Sequence, residues 1–213
     1  MKSEKLLRTA GIVSTIAAAL GAAADLILFY TPGFNQSPIL SVLNISPSRI
    51  TAGTLLGVLA IPFLAFGYWM IYERLKAIGE KQARPILYIG VYGAALGSAI
   101  HAFVGTAARV FVALQATSDS IIELANALAP MVVSIYVIFY VLMLAGSIWF
   151  IVLVLRSDIF PRWIIALSPL VVNAVAMLIG LLIPTLGDLI TPSIANLSHV
   201  LFFGAATLVF WDR

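Results

Sequence analysis

Residues 84–115 read RPILYIGVYGAALGSAIHAFVGTAARVFVALQ, an apolar stretch long enough to form a membrane-spanning helix. Small residues recur along one face of this stretch at helical spacing. Because glycine costs about 1 kcal/mol relative to alanine inside a helix, such a face indicates close contact between helix backbones in a membrane bundle. The face carries Gly90, Gly93, Ala94, Gly97, His101, Gly105, Ala108 and Arg109. It predicts a central helix with an imidazole and a guanidinium among its packing contacts.

The composition of the chain is typical of polytopic membrane proteins. Of its 213 residues, 62% are hydrophobic and 10% are charged, and the mean hydropathy is +1.09. The sequence contains no cysteine, which excludes disulfides, thiolate metal sites, iron–sulfur clusters and covalently attached c-type haem. The net charge of +3 comes from basic residues spread between apolar segments rather than gathered on one face, so we expect no nucleic-acid partner.

The apolar segments predict an all-α protein, a bundle of six transmembrane helices that forms a single transmembrane domain over residues 1–213. We place the spans at residues 9–30, 50–72, 85–112, 130–155, 163–183 and 189–211. Thr31–Arg49 is rich in Pro, Asn and Ser and is expected to be a loop. Pro130 is expected to divide a long apolar run into an interfacial lead and a span. We also expect a break in the fifth span at Ser168-Pro169, and a tight turn at Pro184–Asp188.

The basic residues predict the orientation of the bundle. Ten of the twelve would lie on one side: Lys2, Lys5, Arg8, Arg74, Lys76, Lys81, Arg84, Arg156, Arg162 and Arg213. Only Arg49 and Arg109 would lie on the other. By the positive-inside rule, both termini are expected to be cytoplasmic, in a bacterial-type inner (plasma) membrane.

Polar groups within and beside the spans concentrate in the predicted outer halves, away from the basic side. Burying such groups against lipid costs a few kcal/mol each, so we expect them to face the bundle interior or a water-filled cavity. The candidate ligand-binding residues are Asp25, His101, Arg109, Glu123, Asn126, Asn173, Asp188, Asn196 and His199. The chain has only two histidines, and both fall in spans at similar depth. The sequence therefore predicts one outward-facing polar pocket.

The leading interpretation is a membrane protein that binds, and by extension transports, a lipid or small amphiphilic molecule in this pocket. Arg109 would attract an anionic head group, while His101, His199 and Asn196 would orient the ligand. The same residues also allow a purely structural explanation. Asp25 and Arg109 would then form a salt bridge between two spans, and the histidines would serve as hydrogen-bonding groups between helices.

Two other classes of function stay open on the sequence. His101, His199 and Asp25 would suit a metal-dependent hydrolase with Glu123 as general base, or the two histidines would hold a b-type haem. No HExxH or comparable metal-ligand spacing supports a metal site, no cofactor is required, and we favour a non-enzymatic role. In the third interpretation, the chain is a structural subunit of a membrane complex. Its Gly/Ala faces would then bind other membrane proteins or a second copy, and membrane lipid would cover the rest.

Overall fold

The computed structural model describes residues 3–32, 45–113 and 118–211, and these ranges are helical with no strand among them. The helices are α1 (Glu4–Phe29), α2 (Pro47–Ala60), α3 (Leu64–Leu75), α4 (Glu80–Ala113), α5 (Ser118–Leu155), α6 (Pro169–Leu182), α7 (Pro184–Ile190) and α8 (Ile194–Leu208). Short 3-10 segments at Ile61–Phe63, Arg162–Leu167 and Thr191–Ser193 precede α3, α6 and α8. The all-helical prediction is confirmed over this part of the chain.

Five helical segments are long and apolar enough to cross a membrane. They are α1, α2 continued by α3, α4, the part of α5 from Pro130 onward, and α7 continued by α8. They indicate a multi-pass membrane bundle. The remaining apolar helix, α6, has 14 residues, which at 1.5 Å per residue gives about 21 Å, less than the ~30 Å hydrocarbon core. The fifth predicted span is broken at Ser168, whose extended backbone separates Arg162–Leu167 from α6, as the sequence predicted.

Three boundaries differ from the predictions. Helix α5 continues through Pro130, because ending a helix in apolar surroundings leaves more backbone groups unpaired than one proline does. Pro184 starts α7 instead of making a turn, since a proline in the first helical turn removes no intrahelical hydrogen bond. The end of the predicted loop, Pro47–Arg49, is helical and is capped by the Ser46 hydroxyl. Residues 33–44 of that loop lie outside the described residues.

Helices α1 and α4 organise the packing. Helix α1 packs against α2, α3 and α8, whereas α4 packs against α2, α3 and α5. The main apolar core lies between them toward the first turns of α1 and contains a cluster of aromatic rings: Phe150, Phe160, Phe202, Phe203 and Phe210. At the same end, the two terminal guanidinium nitrogens of Arg74, Nη1 and Nη2, donate to the carboxylate of Glu4. We call this region, with Glu4, Arg74 and Phe210, the basic end.

Two 3-10 turns, each containing a proline, interrupt the candidate spans. In the first, Ile61–Phe63, Pro62 has no N–H to donate to the carbonyl of Val58 four residues earlier. The Ser98 hydroxyl on α4 donates to that carbonyl instead, at 3.1 Å. The second turn, Thr191–Ser193, joins α7 to α8. Residues of both turns line the cavity described next.

Candidate ligand-binding site

A cavity of about 110 Å³ lies among α1, α3, α4, α5 and the start of α8. This volume is close to that of engineered protein cavities that accept one benzene molecule. Its wall is largely apolar, with a cluster of polar side chains on the side formed by α1, α3, α4 and α8. These are Asp25, Tyr68, His101, Asn196 and His199. The site therefore combines a small, partly enclosed space with a few convergent polar groups, as ligand pockets do.

Asp25 joins three helices through hydrogen bonds. Nε2 of His101, on α4, lies 2.8 Å from Oδ1 of Asp25. Nδ2 of Asn196, on α8, donates to Oδ2 at 2.8 Å. All three side chains are buried, with 4–7% of each residue exposed. These contacts tie α1, α4 and α8 together at the cavity wall.

Glycines on neighbouring helices make room for these polar side chains. A Cβ atom at Gly57, on α2, would lie 2.2 Å from Nδ1 of His101. A Cβ atom at Gly21, on α1, would lie 2.7 Å from Oδ1 of Asn196. Real Cβ atoms do not approach so closely, so any larger residue at either position would displace the site. Sequence reasoning found the small-residue face of α4 but missed these two glycines, because each packs against a different helix.

The charge of the Asp25 cluster follows from its hydrogen bonds. Nδ1 of His101 is buried and has no hydrogen-bond partner in the described part of the chain. A proton there would leave a buried N–H unpaired, so the proton lies on Nε2 and the ring donates to Asp25. Because the Asn196 amide donates to the second oxygen, both oxygens of Asp25 accept, as in an ionised carboxylate. An ionised Asp25 would thus be held by two neutral donors, and no Lys or Arg lies among the described residues of the cavity lining.

His199 forms a second polar pair on the same wall. Its Nδ1 lies 2.6 Å from the carbonyl oxygen of Ala195, which can only accept, so Nδ1 carries a proton. The hydroxyl of Tyr68 lies 2.6 Å from Nε2 and donates to that nitrogen in a neutral ring. Sequence reasoning missed Tyr68, since it belongs to an aromatic run at the end of a span, where interfacial aromatic residues are common.

The other predicted site residues lie outside the cavity lining. Asn173 is buried on α6, where its amide donates to the Pro169 carbonyl and the Ser198 hydroxyl. Glu123 and Asn126 are exposed on α5, and Asp188 is half-buried on α7 with interactions of its own. The structure thus brings together Asp25, His101, Asn196 and His199.

The expected salt bridge between Asp25 and Arg109 is not formed. Both carboxylate oxygens of Asp25 face His101 and Asn196, and Arg109 lies on the exposed side of α4. The reason is distance along the helix. Arg109 follows His101 by two turns, about 12 Å at 1.5 Å per residue.

The metal and haem interpretations need a free ring nitrogen on each histidine, aimed at the metal. Nδ1 of His101 has no hydrogen-bond partner among the described residues, but it lies against Gly57 of α2, and Nε2 faces Asp25. Both ring nitrogens of His199 are hydrogen-bonded. Within residues 3–32, 45–113 and 118–211, no group of three or more His, Asp and Glu side chains is arranged to hold a metal ion.

The part of the chain that the structure describes is thus an all-helical bundle with five candidate membrane spans and a buried polar cluster beside a cavity. The chain belongs to DUF6796, a family of unknown function, whose model matches residues 1–212. No curated protein and no solved structure shows significant similarity to it.

Proposed function

We propose that this protein is an integral membrane protein that binds a small amphiphilic molecule in the cavity beside Asp25. One observation carries the proposal: polar side chains from α1, α3, α4 and α8 converge on one cavity, and those from α1, α4 and α8 are buried. Polar groups inside a membrane are costly; some join helices through hydrogen bonds, and those that face a cavity mark ligand or ion sites. A hydrogen-bonded polar cluster that borders a cavity is therefore better explained by a bound ligand than by helix packing alone.

The surface of α5 supports an amphiphile as the ligand. Tyr136 and Tyr140 line the cavity on one side. The same two residues also line an apolar surface groove on α5, with Val133, Val137, Val141 and Leu144. The cavity and the groove therefore share a wall. A ligand with a small polar head in the cavity and a lipid-like tail along the groove would fit this arrangement.

The proposal includes six spans with both termini on the cytoplasmic side of the inner membrane. Arg162–Leu167 and α6 would together form the span additional to the five long segments. The concentration of basic residues near the first turns of α1 and the end of α3 supports this orientation. Asp25 lies about 30 Å along α1 from Glu4. The cavity would therefore face the outer side, and the two 3-10 turns beside it would allow the bending that transport requires.

The test is to fill the cavity without touching the polar cluster. Gly93 lines the cavity, and a Cβ atom there would meet nothing within 4 Å. Gly93→Leu should therefore occupy the space that the ligand needs. The control is Ala95→Leu, which adds the same side chain on the exposed side of α4.

Native mass spectrometry of protein extracted from its own membrane would report the bound molecule. We expect an adduct of constant mass on the wild type and on Ala95→Leu, and none on Gly93→Leu. An adduct that survives in Gly93→Leu would place binding elsewhere. If the wild type carries no adduct, the protein does not retain a ligand through extraction, and the structural-subunit interpretation is favoured.

A further inference from the structure

We propose that the cavity selects a small organic cation, a protonated amine, and that Asp25 is its counter-ion. This inference rests on the proposed binding function and specifies the charge of the ligand's head. It also reverses the sequence-based expectation, in which Arg109 attracts an anion.

The first argument is electrostatic. In its ionised form Asp25 accepts two hydrogen bonds from neutral groups, which solvate the charge without neutralising it. No Lys or Arg lies among the described residues that line the cavity. Arg49, near the start of α2, donates to the carbonyl oxygens of Leu26, Ile27 and Tyr30 at the end of α1. An uncompensated carboxylate in low-dielectric surroundings attracts a cation strongly.

The second argument is the aromatic wall. Five aromatic rings line the same cavity: Phe29, Tyr68, Tyr136, Phe139 and Tyr140. The faces of such rings carry partial negative charge and bind alkylammonium groups, which is how aromatic cages recognise organic cations. A carboxylate beside several aromatic rings suits an ammonium better than a neutral or anionic head.

The third argument is size. A cavity of about 110 Å³ accommodates a compact group of roughly five to six non-hydrogen atoms. Two soluble probes of this size differ mainly in the charge of the head group. tert-Butylammonium and tert-butanol have the same shape and five non-hydrogen atoms each, and the amine is protonated at neutral pH, as lysine is.

The experiment is isothermal titration calorimetry of the purified protein in an uncharged detergent, with each probe in turn. We expect the wild type to bind tert-butylammonium at least ten-fold more tightly than tert-butanol. Asp25→Asn should abolish that preference, since it keeps the shape and one acceptor, and the Asn196 amide can rotate to accept. Asp158→Asn, which removes an exposed carboxylate between α5 and Arg162–Leu167, should leave the preference unchanged.

A second variant keeps the test decisive if Asp25→Asn fails to fold. Tyr140→Leu removes one aromatic ring and leaves the Asp25 hydrogen bonds in place. We expect it to weaken binding of the ammonium about three-fold to five-fold, with little change for the alcohol. If the affinities for both probes fall equally, the aromatic rings do not favour the cation, and the second argument is wrong.

The outcomes separate this inference from the proposed function. If both probes bind equally and both are lost in Gly93→Leu, the cavity binds small molecules and the cation inference is wrong. If tert-butylammonium binds equally well to the wild type and to Gly93→Leu, its site is not this cavity, and the inference is also wrong. If neither probe binds, the inference fails, and the adduct experiment alone decides the proposed function.

Discussion

The two ends of the bundle use their buried volume differently. At the basic end, the phenyl rings of Phe150, Phe160 and Phe202 pack edge to face, with centroids 4.8–5.6 Å apart. Toward the other end, the buried apolar cluster is small, consisting of Leu28, Ile45, Ile50 and Ala108. The interior between these clusters holds the cavity and its polar wall.

This difference indicates that the two ends of the bundle have different roles. Aromatic packing at one end holds the helices in place, so the other end can keep a polar cluster and an empty space. A binding site needs rigid support from the residues packed around it. The site itself usually lies in one of the less stable parts of a structure. The following substitutions test whether the basic end supplies most of the stability and the cavity side the polar site.

The largest loss of stability is expected from Phe150→Ala. Phe150 is 1% exposed and contacts two other rings, so truncation leaves a cavity in the core. We expect a loss of about 3 kcal/mol, measured by reversible unfolding in mixed micelles. Phe66→Ala is the matched control, because Phe66 is 45% exposed on α3 and should tolerate truncation. Similar losses for both variants would contradict an aromatic core at the basic end.

Gly57→Ala should have the next largest effect, and it acts on the cavity side. The new methyl group would collide with the His101 ring, which has little room to retreat from Asp25. We expect destabilisation of about 2 kcal/mol by overpacking. Gly93→Ala has free space around its Cβ, so it should be neutral or stabilising by about 0.5 kcal/mol. Equal effects of the two substitutions would show that His101 does not pack against Gly57.

Tyr68→Phe should cost less, about 1 kcal/mol. It removes the hydroxyl that donates to Nε2 of His199 and keeps the ring. Hydrogen bonds between membrane helices contribute on this scale. A double-mutant cycle with His199→Ala would measure the coupling directly. In a control cycle, the losses of stability from Tyr68→Phe and Ser98→Ala should simply add. If the first cycle shows no coupling energy, Tyr68 and His199 are not hydrogen-bonded.

The smallest effect is expected at the surface of the basic end. Glu80 and Arg84 form an ion pair one helical turn apart, with about half of each side chain exposed to solvent. Exposed pairs of this kind contribute little, so Glu80→Gln should give no measurable change in Tm. Arg74→Gln should lower Tm clearly, because Arg74 is largely buried, binds both oxygens of Glu4 and lies over the Phe210 ring.

The sequence predicted what depends on distance along a helix. Because a helix rises by a constant amount per residue, residue number alone placed His101 and His199 at similar depth, and Asp25 in the same half of the bundle. It also predicted the break at Ser168-Pro169, since proline chemistry is local. These features need no knowledge of neighbouring helices.

The sequence did not predict what depends on the direction in which a side chain points. Arg109 and His101 share a small-residue face in the sequence, yet only His101 reaches Asp25. In the sequence, Tyr68 resembles an interfacial aromatic residue, but its hydroxyl lies beside His199 in the structure. Which helices meet at a polar group is set by tertiary packing, and one sequence carries little information on that packing.

The hydrogen bond from Ser98 to Val58 has a consequence for how the family evolves. Pro62 removes the backbone donor for the Val58 carbonyl, and Ser98 supplies a replacement from another helix. A residue other than proline at position 62 would restore the backbone donor and free position 98 from the need for a hydroxyl. We therefore expect substitutions at positions 62 and 98 to occur together across DUF6796, which an alignment of the family would check.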